Sequence, residues 1–280
     1  MIALFNQQFI QNAFIAGTIV AIVTSIVGYF VVLRAQSFSA ESLTDIGFAG
    51  ATGAALLGIS SLIGMVAFTI VAAFGMGALG KRIKGRDVEV GMILSFALGL
   101  GVLFLKLYTA SATEAVGVLF GSILSVTSFD VVLSLGFGIG ILLVLLLIFR
   151  PLLFVSIDPE VAEARGVSVQ LFSILFILIL AITVAEAIQV VGVLLVFALL
   201  IAPGASAQHL TRRPASAILL SIILGLFFTW GGLLLATVSR FPVSFYIATL
   251  SGLTYFIAIN LGHLTQPHRV EAEDHIDKEF

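Results

Sequence analysis

The sequence predicts an all-α polytopic integral membrane protein, on the evidence of its composition, its recurring apolar stretches and the distribution of its basic residues. Of its 280 residues, 60% are hydrophobic and 10% are charged, and the mean hydropathy is +1.22. Soluble domains average about 45–50% apolar and about 25% charged residues. Apolar stretches of roughly 20 residues recur between 14 and 262, each long enough to cross about 30 Å of hydrocarbon as a helix.

The first apolar stretch is expected to remain in the protein as a helix. Residues 1–12 carry no charged side chain and no small-residue cleavage pattern, so a cleaved signal peptide is not predicted. The sequence contains no cysteine, which excludes disulfides and thiolate metal sites.

Nine membrane spans are predicted, with boundaries good to a few residues. They are 14–33, 43–60, 62–80, 89–106, 130–149, 169–187, 190–208, 215–238 and 243–262. An eight-span topology is the alternative, if the stretch 1–33 or 107–129 behaves differently. The segment 108–130 is too polar for a lipid-facing span, and a half-helix packed on the bundle is expected there.

The basic residues predict the orientation. If Arg34 is cytoplasmic, eleven of the thirteen basic residues fall on that side, and only Lys106 and Arg240 lie outside. Cytoplasmic enrichment of Lys and Arg is the usual rule for such loops. We therefore expect the amino terminus outside and the carboxyl terminus in the cytoplasm, with 1–262 as the membrane domain and 263–280 as a polar, cytoplasmic tail.

Two carboxylates at the start of the second span are the first candidates for function. An acidic residue inside a span costs about 2.5–3.5 kcal/mol on insertion scales, which makes it a functional hypothesis. Glu41 and Asp45 are four residues apart, on one face of a helix. Such a pair can share a proton or a divalent cation, and oxygen ligands favour manganese or ferrous iron over zinc. The alternative is stabilisation of both carboxylates by the helix dipole alone.

Two further places are predicted to line or gate a pathway. Glu186 lies near the outer end of the sixth span with Gln189 close behind it, although hydration at the membrane interface would also explain an acidic residue there. Pro203 and Gly204 interrupt the seventh span, and interrupted segments are where transport sites tend to be built. A plain proline kink is the alternative for this pair.

The loop 156–167 is predicted to hold a short charged helix outside the membrane. Asp158 can cap it, Pro159 can begin it, Glu160 falls in its first turn, and Gly166 can close it. So short a helix needs a surface to pack on, which a cytoplasmic partner or this protein's own helix ends could supply.

No enzyme chemistry is indicated. The run 75–80 matches a dinucleotide fingerprint but ends a membrane-type helix instead of linking a strand to a helix. The same run nearly forms a phosphate-binding loop, yet Arg82 stands where a magnesium-binding Ser or Thr is required. An intramembrane hydrolase would need a catalytic dyad, and none is recognisable.

Three segments together resemble the bacterial metal-uptake ABC permeases, the membrane subunits of zinc, manganese and iron importers. Segment 158–167 looks like that family's coupling helix, 191–207 is similar to its penultimate hydrophobic signature, and 41–50 resembles the segment where the family shows an Asp and, four residues later, a His. Here Glu41 stands in place of the Asp and Asp45 in place of the His. The missing imidazole weakens the case for zinc.

The resemblance implies a type II-like ABC importer bundle in the bacterial cytoplasmic membrane, moving a divalent metal ion by alternating access and holding no permanent cofactor. Its implied partners are cytoplasmic ABC ATPase subunits, an extracytoplasmic metal-binding protein and a second permease copy, identical or related; no nucleic acid is expected. The residues it assigns to ATPase contact are Asp158, Pro159, Glu160, Glu163, Ala164, Arg165 and Gly166.

Other functions stay open on the sequence. One is a permease for iron chelates or cobalamin, and another is a proton-coupled secondary transporter without an ATPase. The tail residues His263, His268 and His275 could sense metal, but their spacing matches no defined motif, and a solvated tail is the preferred interpretation.

Overall fold

The structure is a computed structural model that describes residues 7–78, 86–107, 123–239 and 241–265. Within these ranges the protein is helical, with no β-strand. The helices in chain order are α1 Gln8–Leu33, α2 Ser37–Leu56, α3 Ser61–Ala78, α4 Arg86–Leu107, α5 Ser128–Ile157, α6 Pro159–Ala164, α7 Val169–Val191, α8 Val193–Leu210, α9 Pro214–Val238 and α10 Val243–Thr265. A single 3₁₀ turn, Ile123–Ser125, precedes α5.

Each predicted span coincides with one long helix over the residues that the structure describes. Seven helices are long and apolar enough to cross a membrane: α1, α4 from Val90, α5, α7, α8, α9 and α10 as far as Gly262. The apolar part of α3 is shorter, and α2 falls outside this group because Glu41, Asp45 and several hydroxyl residues lower its hydropathy. The all-helical membrane fold is confirmed, whereas the count of nine spans is not.

Helices α1, α7 and α8 form the centre of the bundle. Helix α8 packs on α1, α9 and α10, while α2 packs on α3 and α4; α7 contacts α3, α5, α1 and α2. Close approach of backbones makes this packing possible. A side chain at Gly28 of α1 would overlap the carbonyl of Leu200 on α8, so glycine is required where these two central helices cross.

The contacts divide the helix ends between two sides of the bundle. Arg34, at the end of α1, donates hydrogen bonds to Ser156 and Ser173, so the α1–α2 and α5–α7 connections lie at one end. At the opposite end the Gln8 side chain donates to Ser128, and Asn12 donates to the Val126 carbonyl. The basic residues of these two connections therefore share one end, opposite to the start of α1.

Some sequence predictions fall on residues outside the described ranges. Most of the segment 108–130 is among them, and so is the tail beyond Thr265, including His268 and His275. Where 108–130 is described, it ends in a capping box: the Thr127 backbone N–H donates to Asp130, and the Asp130 N–H donates to the Thr127 hydroxyl. This box begins α5.

Candidate functional site

Helix α2 is enclosed by the bundle on every face but one. Its open strip comprises Phe38, Glu41, Asp45 and Phe48, at spacings of three and four residues that keep them on one side of a helix. Glu41 is exposed and Asp45 is half-buried, while the residues between them are buried. The structure thus places the two predicted carboxylates together on the only accessible face of α2.

Small residues explain why the remaining faces of α2 are closed. Gly50 packs against Gly64 of α3 so tightly that a side chain on either would overlap the other's carbonyl. On the side towards α7, a Cβ at Gly47 would lie 2.5 Å from Cδ1 of Ile188. Glycines at these positions let α2 pack close to its neighbours, and bulkier side chains would hold it away.

Two hydroxyl groups near the carboxylates of α2 are satisfied within the helix. Ser42 donates to the Phe38 carbonyl, and Thr44 donates to the Ala40 carbonyl. By contrast, no described residue forms a hydrogen bond or ion pair with Glu41 or Asp45. The two carboxylates are therefore the polar groups of this strip that remain available to a cation.

One copy of the chain offers an ion an incomplete site. In the described ranges there is no group of three or more His, Asp or Glu residues that could hold a metal ion. Hard divalent cations take six or more oxygen ligands. Two carboxylates from one copy can thus bind such an ion only together with water, other oxygen donors or a second copy.

Glu186, on α7, lies in a different environment. It is 2% exposed, and neither carboxylate oxygen has a hydrogen bond of good geometry from a described residue. The Ser134 hydroxyl of α5 is close enough to interact with it. Ile188 faces α2, and residues two positions apart in a helix point about 200° away from each other around its axis. Glu186 therefore points away from α2.

The remaining predicted pathway residues lie on α7 and α8. Gln189 is exposed near the end of α7, which stops at Gly192 with φ +84°. Helix α8 continues through Pro203 without a break, and a Cβ at Gly204 would lie 2.9 Å from the Gly28 carbonyl carbon. In the structure, Pro203 and Gly204 are buried where α8 packs on α1.

An apolar cleft of about 590 Å³ lies between α5 and α7. Its wall includes Gly136, Phe137, Leu178 and Ile182, and every residue lining it is apolar. With no side-chain oxygen or nitrogen, the cleft cannot ligate an ion. Glu186 follows Ile182 by one helical turn, just beyond the cleft.

Helix α6 has the capping that its sequence predicts. Asp158 accepts a hydrogen bond from the Val161 N–H at 3.0 Å, Pro159 is the first helical residue, and Gly166 ends the turn with φ +81°. The Val167 N–H donates back to the Ala162 carbonyl at 3.0 Å, as in a Schellman motif.

One side of α6 packs on the protein and the other is open. Ala162 is fully buried, while Glu160, Val161, Glu163 and Arg165 are exposed. This short helix connects α5 to α7 directly, and the exposed residues are those expected to meet a partner. The neighbouring helices α5 and α7 supply part of the surface on which α6 packs. The charged face of α6 remains exposed.

From its position in the sequence, Arg34 indicates only the orientation of the helices. In the structure its guanidinium bridges two serines that lie 122 and 139 residues further along the chain. Two features of the sequence could have drawn attention to this contact. Arg34 lies directly between two predicted spans, and a serine lies on each side of the predicted loop helix. Nothing in the local sequence indicates that these residues meet.

The fold and the site define a membrane permease, a bundle of long helices with accessible carboxylates on one helix and a capped charged helix at one end. A family model described as the ABC 3 transport family matches residues 6–262. The chain belongs to this family, which confirms the resemblance drawn from the three sequence segments. It is the membrane subunit of an ABC transporter and not an enzyme, since ATP hydrolysis belongs to a separate subunit.

Named relatives match over nearly their whole length. The manganese transport system membrane protein MntC of Halalkalibacterium halodurans is 29% identical over 269 residues, 94% of this chain and 92% of that protein. The manganese import system permease protein ScaB of Streptococcus gordonii is 32% identical over 260 residues, 88% of this chain and 93% of that protein.

A solved structure supports the fold over the same range. PsaBC from Streptococcus pneumoniae, in complex with Fab, contains a chain that matches with a TM-score of 0.82 at 30% identity. The match covers 92% of this chain and 95% of that chain.

Proposed function

We propose that this permease imports Mn²⁺ and that Glu41 and Asp45 contact the ion on its route. The observation that carries the proposal is the open strip of α2, where both carboxylates are accessible on a helix otherwise enclosed by the bundle. Carboxylate oxygens suit manganese better than zinc, which favours nitrogen and sulfur ligands. The manganese named for MntC and ScaB supports the same choice over iron or zinc.

Two copies of the chain complete the ion site in this proposal. Each copy contributes Glu41 and Asp45, so two strips facing each other would present four carboxylates around a central pathway. Water fills the remaining positions, which suits an ion that must leave again. A related permease carrying acidic residues at the same positions would serve as well as an identical copy.

All nine long helices cross the bacterial cytoplasmic membrane in this proposal. Helices α2 and α3, of 20 and 18 residues, are about 30 and about 27 Å long. The buried polar residues of α2 face other helices, so that helix need not be apolar. The end that carries Arg34 and Arg165 is cytoplasmic because basic residues favour that side, which puts the amino terminus outside. An extracytoplasmic binding protein would deliver the ion there.

Alternating access would be driven through α6. Closure of the ATPase subunits pushes on its exposed residues, and the α5–α7 hairpin that α6 joins moves with it. Glu186 and Gln189 lie towards the far end of that hairpin, so the interaction of Glu186 with Ser134 would change as α5 and α7 shift. Pro203 and Gly204, buried in α8, would support that helix during the movement.

The test is ATP-dependent uptake by the permease reconstituted with its ATPase subunits in proteoliposomes. The double variant Glu41→Gln with Asp45→Asn keeps the shape of both side chains and removes both charges. We expect Mn²⁺ uptake to fall at least about tenfold, the lower end of the loss seen when residues supporting a metal site are replaced.

Asp130→Asn is the matched control, because it also turns a carboxylate into an amide but lies in the capping box of α5. Unchanged uptake by the double variant would remove Glu41 and Asp45 from the pathway. Uptake driven by a proton gradient without ATP would favour the secondary-transporter alternative. Competition by iron chelates or cobalamin would favour a bulky substrate.

A further inference from the structure

Arg34 joins the two helices that flank α6. Its Nη1 donates to the Ser156 hydroxyl at 3.1 Å, and its Nη2 donates to the Ser173 hydroxyl at 2.6 Å. Ser156 lies in the last turn of α5, directly before α6, and Ser173 lies in the second turn of α7, directly after it. One guanidinium therefore spans the base of the hairpin that carries the exposed helix.

The two serines are suited to this role. The Ser156 hydroxyl donates to the Leu152 carbonyl, which leaves its oxygen free to accept from Arg34. Arginine presents several donors in a planar fork, so it can hold two acceptors at a fixed separation. A lysine has one ammonium group on a flexible stem and cannot reproduce this arrangement.

Aromatic packing surrounds the place where Arg34 meets α5 and α7. The Arg34 guanidinium lies 5.4 Å from the ring centre of Phe176 on α7. Phe30 lies one turn before Arg34, at the end of α1. Its ring centre is 6.2 Å from that of Phe176 and 5.8 Å from that of Phe149, on α5. Helices α1, α5 and α7 therefore meet in one buried cluster at this end of the bundle.

Along the chain, Arg34 is connected to α2, the helix that carries Glu41 and Asp45. Only Arg34, Ala35 and Gln36 separate α1 from α2, and Ala35 adopts φ +51°, a left-handed conformation that non-glycine residues seldom occupy. Gln36 is buried, its N–H donates to the Val31 carbonyl at 2.9 Å, and its carbonyl accepts from the Ala40 N–H at 3.0 Å. Arg34 is thus linked to the start of α2 by a short, hydrogen-bonded connection.

We propose that Arg34 is the positioning residue that transmits movement of α6 to the open strip of α2. Glu41 is the fifth residue of α2, about 6 Å along that helix from its first residue, Ser37. This inference rests on the proposed function, because it needs the ATPase subunits to act on α6. It adds the route by which their closure reaches Glu41 and Asp45.

The decisive variant is Ser156→Ala with Ser173→Ala, which removes both acceptors and leaves Arg34 and the ion ligands in place. Mn²⁺ uptake and ATP hydrolysis are measured together on the full permease–ATPase complex in proteoliposomes. We expect the number of ions moved per ATP to fall at least about fivefold, the lower end of typical coupling between two sites. ATP turnover stays within about twofold of the unmodified complex, because the exposed face of α6 is untouched.

Arg34→Lys and Arg150→Gln complete the experiment. Arg34→Lys keeps the charge without the fork and should lower the ion-to-ATP ratio in the same direction as the serine variant. Arg150→Gln removes an exposed cation from the same end of α5 and should leave the ratio unchanged. Thermal unfolding of each complex separates a loss of coupling from a loss of folded protein.

An unchanged ratio in the serine variant would overturn the inference, and so would equal losses of uptake and ATP hydrolysis. A failure of the proposed function gives a different result, since the unmodified complex would then show no ATP-dependent Mn²⁺ uptake. If the unmodified complex is coupled and the serine variant behaves identically, only the role of Arg34 is wrong.

Discussion

Helices α2 and α7 both carry carboxylates, but they present them in opposite ways. Glu41 and Asp45 lie on the open strip of α2, whereas Glu186 of α7 is 2% exposed and directed towards α5. An accessible pair can exchange water for a metal ion and release it again. An enclosed carboxyl without hydrogen bonds of good geometry has no room for a hydrated ion, and burying its charge is costly.

The difference separates two kinds of contribution to transport. We expect groups on the open strip to determine which ion binds and how tightly. We expect the enclosed group to affect how readily the helices move, because its interactions change only if α5 and α7 shift. The free-energy cost of inserting an acidic residue into a membrane span does not by itself distinguish these three carboxylates.

The largest expected effect comes from changing the ligand type on the open strip. Asp45→His places an imidazole where the family usually has one and gives the site a nitrogen ligand that suits zinc. We expect the Zn²⁺ concentration that halves Mn²⁺ uptake to fall about tenfold, equivalent to about 1.4 kcal/mol. Uptake competition in proteoliposomes measures it.

Glu41→Asp is the matched control for this substitution. It alters the other member of the pair while keeping an oxygen ligand, so zinc competition should stay within about twofold. If Asp45→His leaves zinc competition unchanged as well, Asp45 does not contact the ion.

A smaller effect is expected at the enclosed carboxyl. Glu186→Gln preserves the shape of the side chain and removes its ionisable group. We expect the maximal uptake rate to fall about fivefold, about 1 kcal/mol in the barrier, with the half-saturating Mn²⁺ concentration unchanged. Initial rates over a range of Mn²⁺ concentrations give both quantities.

Asp130→Asn again serves for comparison, since Asp130 lies one turn from Ser134 on α5 and caps that helix. It should change neither quantity. A large rise in the half-saturating concentration for Glu186→Gln would instead mean that Glu186 contacts the ion, and the contrast between α2 and α7 would fail.

The last expected effect is on stability, of similar size in free energy, where the two helices touch. In Gly47→Ala the added Cβ would lie 2.5 Å from Cδ1 of Ile188, a side-chain end that can rotate away. We expect a loss of about 1 kcal/mol, or about 2–4 °C in the unfolding temperature. Adding Ile188→Val, which lacks that Cδ1 atom, should restore most of the loss.

Gly252→Ala on α10 is the control, because no atom lies within 4 Å of the position its Cβ would occupy. Thermal unfolding of the purified complex in detergent compares the variants. A double variant no more stable than Gly47→Ala would show that the α2–α7 contact does not set the spacing of these helices.

Elements defined by a few neighbouring residues were predictable. The cap at Asp158, the first position of Pro159 and the closing turn at Gly166 all appear in α6 as expected. The nine apolar segments coincide with long helices for the same reason, since hydropathy and periodicity are local properties.

Breaks and enclosure were harder to predict. A proline inside an apolar segment predicted an interruption at Pro203, yet α8 continues through it, and the neighbouring Gly204 packs against α1. The real break comes at Gly192, where φ is +84° and α7 gives way to α8. Glycine allows that conformation, but the sequence does not say which of many glycines uses it.

The sequence by itself determined that this protein is a helical membrane permease with a capped charged loop helix and with acidic residues where they are costly. Only the tertiary structure decided that α2 is open on the strip holding Glu41 and Asp45, that Glu186 is enclosed, and that Arg34 meets Ser156 and Ser173. Helix formation and capping depend on residues within a few positions of each other. Exposure and contacts across more than a hundred residues depend on which helices pack together, and that is a property of the whole bundle.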